Sequence, residues 1–347
     1  MRAIVYTSTG GSEVLNLVER EEAHAGPGQV RVRIHVSGVN PTDWKRRAAQ
    51  TAPATGGGAD GSDAPAIVPN QDGAGVVDEV GDGVEGLAVG DRVWVFLAQH
   101  ESDDGTAQEV AVVEAWKAVK LPDGVSFDVG ASLGVPAMTA HRALTVHEDG
   151  PRRLAPGSLD GRTVLVTGGA GAVGHAAIQL ARWAGATVIT TISSDAKAAL
   201  ATDAGAHFAI DYTQGDPAAA IRELAPDGVD IVVDVDFIRN VGLVAAVVAT
   251  RGSVAIYANS GSDIRIPIRE WMGLNARLQF VLLYTVGDEA LRAGVEDVTA
   301  AAAAGALEVG DATGLPLTRF SLADTAAAHD AVEGGVVGKV LIDVTAS

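Results

Sequence analysis

A glycine-rich turn between two β-branched segments constrains the fold of this chain more than any other feature. Residues 163–192 read TVLVTGGAGAVGHAAIQLARWAGATVITTI. The apolar run 163–167 precedes the glycines, an alanine-rich segment of helical pattern follows them, and a second β-branched run occupies 187–192. This order predicts a strand, a tight turn, an α-helix and a second strand.

The glycines of this turn fit the spacing of a dinucleotide-binding loop. Gly169, Gly171 and Gly174 match G-x-G-x-x-G, in which glycine permits a tight turn, close approach of a pyrophosphate and close helix–strand packing. The free N–H groups at the start of the helix then face the phosphates. The pattern predicts a phosphate-binding loop formed by Gly169, Ala170, Gly171, Ala172, Val173 and Gly174. The alternative is a glycine-rich turn without a ligand.

Composition limits the class of protein. A chain of 347 residues is long enough for two domains, and 47% hydrophobic with 20% charged residues is typical of folded globular proteins. No apolar run has the length of a membrane span and the first residues lack a signal-peptide pattern, so we expect a cytoplasmic protein. The formal charge of −19 argues against nucleic acid and anionic membranes as partners.

The chain contains no cysteine. Disulfides, a cysteine nucleophile, iron–sulfur clusters and every zinc site that uses cysteine are therefore excluded.

The order of strand and helix patterns predicts an α/β protein with two kinds of sheet. Short valine-rich runs with Gly-Asp turns at 67–97 indicate a small antiparallel barrel, whereas strands and helices alternate beyond residue 163 as in a parallel, doubly wound sheet. The run 339–344 is expected to be a strand that returns to the barrel. Segment 51–66, rich in Gly and Ala, is interpreted as a surface loop, either a lid or an inert insertion.

Several motifs together resemble the medium-chain dehydrogenase/reductase superfamily over nearly the whole chain. They are GVNPTDWK, NQDGAGVVDEVGDGV, VGDRV, ASLGVPAMTAHRAL, VLVTGGAGAVG, AHDAVEGG and GKVLIDV. The resemblance implies a GroES-like β-barrel domain, for substrate and catalysis, at 1–132 and 286–347. It also implies a Rossmann domain that binds NADPH at 133–285.

Zinc alcohol dehydrogenases of this superfamily carry metal ligands at positions that correspond here to Asn40, Gln71 with Asp72, and Val135. Amide and alkyl side chains replace the cysteines and the histidine, so no metal site is expected. The chain is therefore similar to the zinc-free branch of quinone oxidoreductases (zeta-crystallin-like proteins) and enone reductases. That branch transfers hydride from NADPH to a quinone or to the β-carbon of an α,β-unsaturated carbonyl, where hydrogen-bond donors can stabilise the developing oxyanion.

The residues after the second strand of the glycine-loop unit favour NADPH over NADH. The sequence TTISSDAK offers Ser193, Ser194 and Lys197 to a 2′-phosphate instead of the carboxylate typical of NAD sites. The resemblance adds Tyr212 beside the adenosine. Asp195 weakens this interpretation, and Ser193 has the alternative role of capping the next helix.

For the nicotinamide end, the resemblance implies Thr139, Asn40 and the segment YANSG, from which Tyr257, Ala258 and Asn259 are predicted to contact the cofactor. The catalytic candidates are Asn40 and Lys45, as donors to the substrate oxygen. The alternatives are an Asn/Gly turn for YANSG, a turn cap for Asn40 and a solvated charge for Lys45. The histidines are interpreted as structural.

Three functions are compatible with these residues. The first is an NADPH-dependent quinone or enone oxidoreductase with a small-molecule substrate. The second is an enoyl-thioester or polyketide-pathway enoyl reductase. The third is a non-catalytic NADPH-binding protein, crystallin-like or RNA-binding, although the negative charge disfavours RNA. The resemblance also implies a homodimer.

Overall fold

The computed structural model describes residues 1–49, 66–261 and 263–345. The surface loop expected at 51–66 lies outside the described residues, apart from Ala66.

The strands of the described residues are, in chain order, β1 (Arg2–Val5), β2 (Asn16–Glu19), β3 (Gln29–Val39), β4 (Asp72–Val80), β5 (Arg92–Val95), β6 (Val110–Glu114), β7 (Ala118–Lys120), β8 (Thr163–Thr167), β9 (Thr187–Ile192), β10 (Phe208–Asp211), β11 (Val229–Asp234), β12 (Val248–Ile256), β13 (Arg277–Phe280), β14 (Leu317–Ser321) and β15 (Lys339–Asp343). The helices are α1 (Pro41–Arg47), α2 (Phe127–Ser132), α3 (Met138–Leu144), α4 (Ala172–Trp183), α5 (Asp195–Asp203), α6 (Pro217–Leu224), α7 (Phe237–Val247), α8 (Ile268–Leu274), α9 (Asp288–Ala303) and α10 (Thr325–Glu333).

The chain forms two compact units, the first from residues 1–135 and 317–347 and the second from 136–316. The sequence-based bounds placed 286–316 with the first domain. In the structure, α9 of this segment packs against α3 and α4 of the second unit, and Asp297 on α9 bonds His141 on α3 at 2.8 Å.

A seven-stranded sheet organises the first unit, with the order β14-β15-β3-β4-β5-β7 and β6 paired to β3. The long strand β3 shows why the alternation in its sequence predicts a half-buried strand. Val32 and Ile34 are fully buried in the core, whereas Arg31 and Arg33 point outward and both bond Asp78, at 2.7 and 2.9 Å. The closing strand β15 pairs antiparallel with β3, as expected.

Two local features depart from the simplest interpretation of their sequence. A proline after GVN suggests a loop, but Pro41 is the first residue of α1, where its missing N–H costs nothing and its fixed φ suits the helix. The segment ASLGVPAMTAHRAL has an alanine-rich composition that suggests one helix. It instead spans the end of α2, a wider π-type turn at Leu133–Ala137 that contains Pro136, and α3, because proline cannot continue the regular hydrogen-bond ladder.

The second unit contains a six-stranded parallel sheet in the order β10-β9-β8-β11-β12-β13. This is the Rossmann order, in which the chain starts at the centre and builds outward in both directions. All the loops that follow β8, β9, β10, β11 and β12 therefore emerge at one edge, where parallel sheets bind ligands. The predicted α/β fold, with a GroES-like unit and a Rossmann unit, is confirmed.

Among the described helices, none combines the length and apolarity that a membrane crossing requires.

Candidate functional site

The glycine loop after β8 is built as its sequence predicts. Gly168 has a positive φ of 70° and donates its N–H to Thr191 on β9. A Cβ on Gly169 would lie 2.2 Å from Thr190 Oγ1, and a Cβ on Gly174 would lie 2.4 Å from the Gly168 carbonyl oxygen. Glycine is required at these two positions by the packing of strand and helix alone.

Gly171 differs from its neighbours because nothing in the protein crowds it. The nearest heavy atom that a Cβ would meet among the described residues is the Gly168 oxygen at 3.5 Å, and φ is an ordinary −86°. Gly171 is the N-cap of the twelve-residue helix α4, and within the described chain no side chain caps this helix. The open backbone and the uncapped N–H groups fit a pyrophosphate.

The residues after β9 form a polar cluster beside this loop. Ser194 caps α5 by accepting the Lys197 N–H at 3.4 Å, and the Lys197 ammonium donates to Ser193 Oγ at 3.1 Å. The cap therefore belongs to Ser194, whereas the sequence suggested Ser193. Tyr212 is 53% exposed and its N–H bonds Ile192 O at 3.0 Å, which places it next to this cluster.

The loop after β12 emerges at the same edge. The Tyr257 N–H donates to Asp234 O at 3.1 Å, and Ala258 and Asn259 follow it outward. Burial raises the pKa of Tyr257. Thr139, also predicted at the nicotinamide end, lies buried on α3 of this unit.

Asp234, at the end of β11, is not among the site residues predicted from the sequence. It is fully buried and accepts hydrogen bonds from Asn240 Nδ2 at 3.1 Å and Thr167 Oγ1 at 3.3 Å. Burial raises its pKa to about 6. Its position directly after a hydrophobic strand, at the ligand-binding edge, was the available signal.

In the first unit, Asn40 lies at the centre of a buried charged network. It is 2% exposed, its Nδ2 donates to Asp72 Oδ2 at 2.7 Å, and its Oδ1 accepts from the Lys339 ammonium at 2.7 Å. Asp72 also accepts from the Val135 N–H at 2.9 Å. We call Asn40, Asp72 and Lys339 the amide–ion network.

A second carboxylate, Asp43, borders this network. Asp43 Oδ2 accepts the Asn40 backbone N–H at 2.7 Å, while no described residue bonds its buried Oδ1. Burial, reinforced by the charge of Asp72, raises the pKa of Asp43 to about 7. Burial raises the pKa of Asp72 to about 6 and lowers that of Lys339.

Two glycines make room for the network. A Cβ on Gly134 would lie 2.0 Å from Asp72 Oδ1, and a Cβ on Gly38 would lie 2.2 Å from the Ala131 carbonyl oxygen and 3.2 Å from the Lys339 ammonium. The glycine of LGVP is thus explained by the buried Asp72 carboxylate, and the glycine of GVN chiefly by the close approach of the Ala131 backbone.

The residues at the former metal positions do not fit zinc. Both ends of the Asn40 amide already hold protein ions, Val135 offers an alkyl group, and the Lys339 ammonium would repel a cation. Gln71 is buried, and its Nε2 lies 3.5 Å from Gln99 Oε1. Across the ranges that the structure describes, no group of three or more His, Asp or Glu side chains is arranged to hold a metal.

Lys45, the other catalytic candidate, lies on α1, with its ammonium 5.8 Å from the centre of the Trp44 ring. It does not belong to the amide–ion network. The catalytic roles of Asn40 and Lys45 stay predictions.

Two of the buried histidines, His329 and His175, have structural partners. His329 bonds Asn70 Oδ1 at 2.9 Å, and burial lowers its pKa to about 3. His175, just after the glycine loop, bonds Thr313 O at 2.7 Å.

Comparison with known proteins supports this architecture. Residues 26–123 match the family described as alcohol dehydrogenase GroES-like domain, and residues 172–304 match the family described as zinc-binding dehydrogenase.

Three relatives illustrate the similarity. A rat (Rattus norvegicus) quinone oxidoreductase is 31% identical over 311 residues, which cover 85% of this chain and 86% of the relative. A Burkholderia 2-haloacrylate reductase is 33% identical over 280 residues, covering 80% and 78% of the two chains. A mycobacterial protein solved in complex with NADPH superposes with a TM-score of 0.79 at 30% identity, covering 99% of each chain.

The chain therefore belongs to the medium-chain dehydrogenase/reductase superfamily, with quinone oxidoreductases and haloacrylate reductases among its homologues. It is an oxidoreductase, and its Rossmann unit together with the NADPH complex of the mycobacterial neighbour supports a nicotinamide cofactor.

The contrast between Gly171 and Gly174 gives a direct test of the phosphate loop. We expect Gly171→Ala to leave the melting temperature of the cofactor-free protein nearly unchanged, because its Cβ has space. It should weaken cofactor binding about tenfold or more, because that space is needed by the pyrophosphate. Gly174→Ala is the matched control and should lower the melting temperature. Thermal unfolding and fluorescence titration would measure both; unchanged affinity in Gly171→Ala would contradict the assignment.

The buried Asp43 should make stability depend on pH. Its folded-state pKa of about 7 exceeds the ordinary value of 3.8, so its protonated form is favoured by folding. This contribution is present below pH 4 and is lost as pH rises to about 7. Asp43→Asn keeps an oxygen that can accept the Asn40 N–H. As pH rises from 5 to 8, we expect the free energy of unfolding of this variant, relative to that of the wild type, to increase by on the order of 2 kcal/mol.

Urea unfolding at the two pH values would measure this difference, with the exposed Asp123→Asn as control. The same difference between wild type and Asp43→Asn at both pH values would show that Asp43 ionises normally.

Proposed function

We propose that this protein is an NADPH-dependent, zinc-independent oxidoreductase that transfers hydride to a quinone or to the β-carbon of an α,β-unsaturated carbonyl. The observation that carries the proposal is the amide–ion network at the former metal positions. In the zinc enzymes of the superfamily, the metal polarises the carbonyl or alcohol as a Lewis acid. A conjugated carbonyl spreads its developing charge onto an oxygen that hydrogen-bond donors can stabilise.

The names of the relatives point to the same substrate class. One is called a quinone oxidoreductase and another a 2-haloacrylate reductase, and both quinones and acrylates carry a C=C bond conjugated to a carbonyl group.

Bound NADPH would supply the hydride from its nicotinamide ring. The glycine loop would hold its pyrophosphate, while Thr139 and the loop Tyr257–Asn259 would contact the nicotinamide end. Asn40 would donate an N–H to the substrate oxygen, with Lys45 as the second candidate donor.

We further propose NADPH over NADH because of the cluster after β9. An ammonium and a hydroxyl 3.1 Å apart, Lys197 and Ser193, match the donors that a 2′-phosphate requires. The neighbouring Ser194 hydroxyl and the ring of exposed Tyr212 would complete this end of the site.

Lys197→Ala should raise the Kd of NADPH about tenfold or more, the usual value of a charge-assisted bond, and leave that of NADH unchanged. Lys197→Arg keeps the charge and serves as control. Equal losses for both cofactors would refute the 2′-phosphate assignment.

The function itself is tested by following NADPH absorbance with 1,4-benzoquinone, 9,10-phenanthrenequinone and an alkyl vinyl ketone, with and without a chelator. We expect turnover in both conditions. If the protein reduces enoyl thioesters but none of these substrates, the enoyl reductase alternative is favoured. Tight NADPH binding without turnover on any substrate would favour the non-catalytic one.

We also propose a homodimer that forms through β13. This strand pairs only with β12 in the described sheet, so its other side exposes unpaired main-chain groups. Large apolar side chains surround this edge, with exposed fractions of 68% for Phe280, 56% for Leu282 and 71% for Met272.

Sedimentation should give twice the chain mass of 35.2 kDa, and Phe280→Asp with Leu282→Asp should give that mass once. A wild-type monomer would contradict the proposal.

The formal charge of −19 supports the expectation of no nucleic-acid or anionic-membrane partner. We also propose the cytoplasmic location expected from the sequence. Cell fractionation and retention on a heparin column would test them. A membrane-bound fraction or strong retention would contradict them.

A further inference from the structure

We propose that Lys339 is a positioning residue, whose buried ammonium and the facing Asp72 carboxylate orient the Asn40 amide so that one N–H is left for a substrate oxygen. The inference rests on the proposed function, because it assigns a task to the amide expected to meet the substrate.

The Asn40 side chain lies between a cation and an anion. Its Oδ1 accepts from Lys339 Nζ at 2.7 Å and its Nδ2 donates to Asp72 Oδ2 at 2.7 Å. Turning the amide over would set its NH₂ group against the ammonium and its oxygen against the carboxylate. Both contacts would be repulsive, so the two ions define a single orientation.

An amide nitrogen carries two hydrogens. The structure assigns one of them to Asp72. The second hydrogen then has a fixed direction as well, because the amide group is planar. A donor fixed before the substrate arrives needs no reorganisation when charge develops on the substrate oxygen.

Strand pairing places Lys339 in this position. Val340 on β15 pairs with Val39 on β3, which brings the ammonium to Asn40 across 299 residues of sequence. The Lys339 ammonium also donates to the Val39 carbonyl oxygen at 3.2 Å. The Lys339 ammonium is thus held by the Val39 carbonyl oxygen and Asn40 Oδ1, and neither contact requires a ligand.

Stability alone is a weak explanation for this arrangement. Lys339 is 2% exposed and Asp72 is fully buried, although desolvation of such ions offsets most of their attraction. Apolar residues in place of the whole set of buried ions would hold β15 to β3 equally well, whereas loss of the lysine alone would leave buried carboxylates without a cation. The cost is explained if the ions orient a donor that the reaction uses.

The reaction then balances as follows. Hydride adds to the β-carbon, the C=C electrons form a new double bond towards the carbonyl carbon, and the C=O electrons move to the oxygen. Asn40 donates a hydrogen bond to that oxygen and keeps its proton, since an amide is too weak an acid to release it. The α-carbon then takes a proton from water, which leaves hydroxide, as the C=C electrons of the enolate form the new C–H bond and the oxygen electrons re-form the C=O bond.

Side-chain NMR tests the orientation without any turnover. The chain contains six asparagines, so ¹⁵N-asparagine labelling gives few side-chain signals, and Asn40→Ala identifies that of residue 40. We expect the Asn40 NH₂ hydrogens to exchange slowly in the wild type. In Lys339→Met their shifts should move and exchange should accelerate.

Lys117→Met is the matched control, because Lys117 is another buried lysine of the same unit, bonded to His100 O at 3.0 Å and separate from Asn40. It should leave the Asn40 signal unchanged. If Lys339→Met does not fold, Asp72→Asn, which removes the anion on the other side, should move the same signal. An Asn40 signal that neither variant changes would overturn the proposal.

Kinetics provides the second readout. Lys339→Met should lower kcat about tenfold or more while the Kd of NADPH stays constant. The double variant Asn40→Ala/Lys339→Met should be no slower than Asn40→Ala alone, because Lys339 acts through Asn40. Additive losses, or an unchanged kcat in Lys339→Met, would overturn the positioning role while the proposed function stands. If the wild type turns over no quinone or enone, the proposed function fails, and the NMR signals still decide the orientation.

Discussion

The buried contact between the Asp72 carboxylate and the Asn40 amide is the interaction on which the first unit depends. It joins the end of β3 to the start of β4, and the Val135 N–H and the Lys339 ammonium attach two further segments to it. Four distant parts of the chain therefore meet at one set of ions. In zinc enzymes of the superfamily the resemblance places metal ligands at three of these parts.

This replacement has consequences for the chemistry. A metal would hold the segments together and polarise a substrate, whereas the network holds them with fixed charges and presents an amide. Such a site suits substrates whose own conjugation disperses the developing charge. The raised pKa values of Asp43 and Asp72 follow from the same burial.

Much of the second unit could be predicted because its signals are local. The strand at Thr163–Thr167, the glycines and the strand at Thr187–Ile192 are contiguous, and the structure places them as expected. The G-x-G-x-x-G spacing also predicts that Gly169 and Gly174 allow the helix to pack closely on the strand. The roles of Ser193 and Ser194 could not be separated, because adjacent hydroxyls differ only in the backbone geometry that the fold imposes.

The first unit was harder to predict because its site is assembled from distant residues. Asn40 and Asp72 were recognised by resemblance, but Lys339, separated from Asn40 by 299 residues, becomes a partner only through the pairing of β15 with β3. Pro41 was misread because proline marks both loops and helix starts. Asp234 was missed because its one signal, an aspartate that ends a hydrophobic strand, has no distinctive spacing.

The destination of the hydride tests zinc-independent transfer to a conjugated carbonyl most directly. NADPH that carries deuterium at the transferred position should be incubated with an alkyl vinyl ketone, and the product should be examined by NMR. Transfer to a conjugated carbonyl without metal predicts deuterium on the β-carbon of a saturated ketone. Deuterium on the carbonyl carbon of an alcohol, with activity lost on chelation, would contradict it.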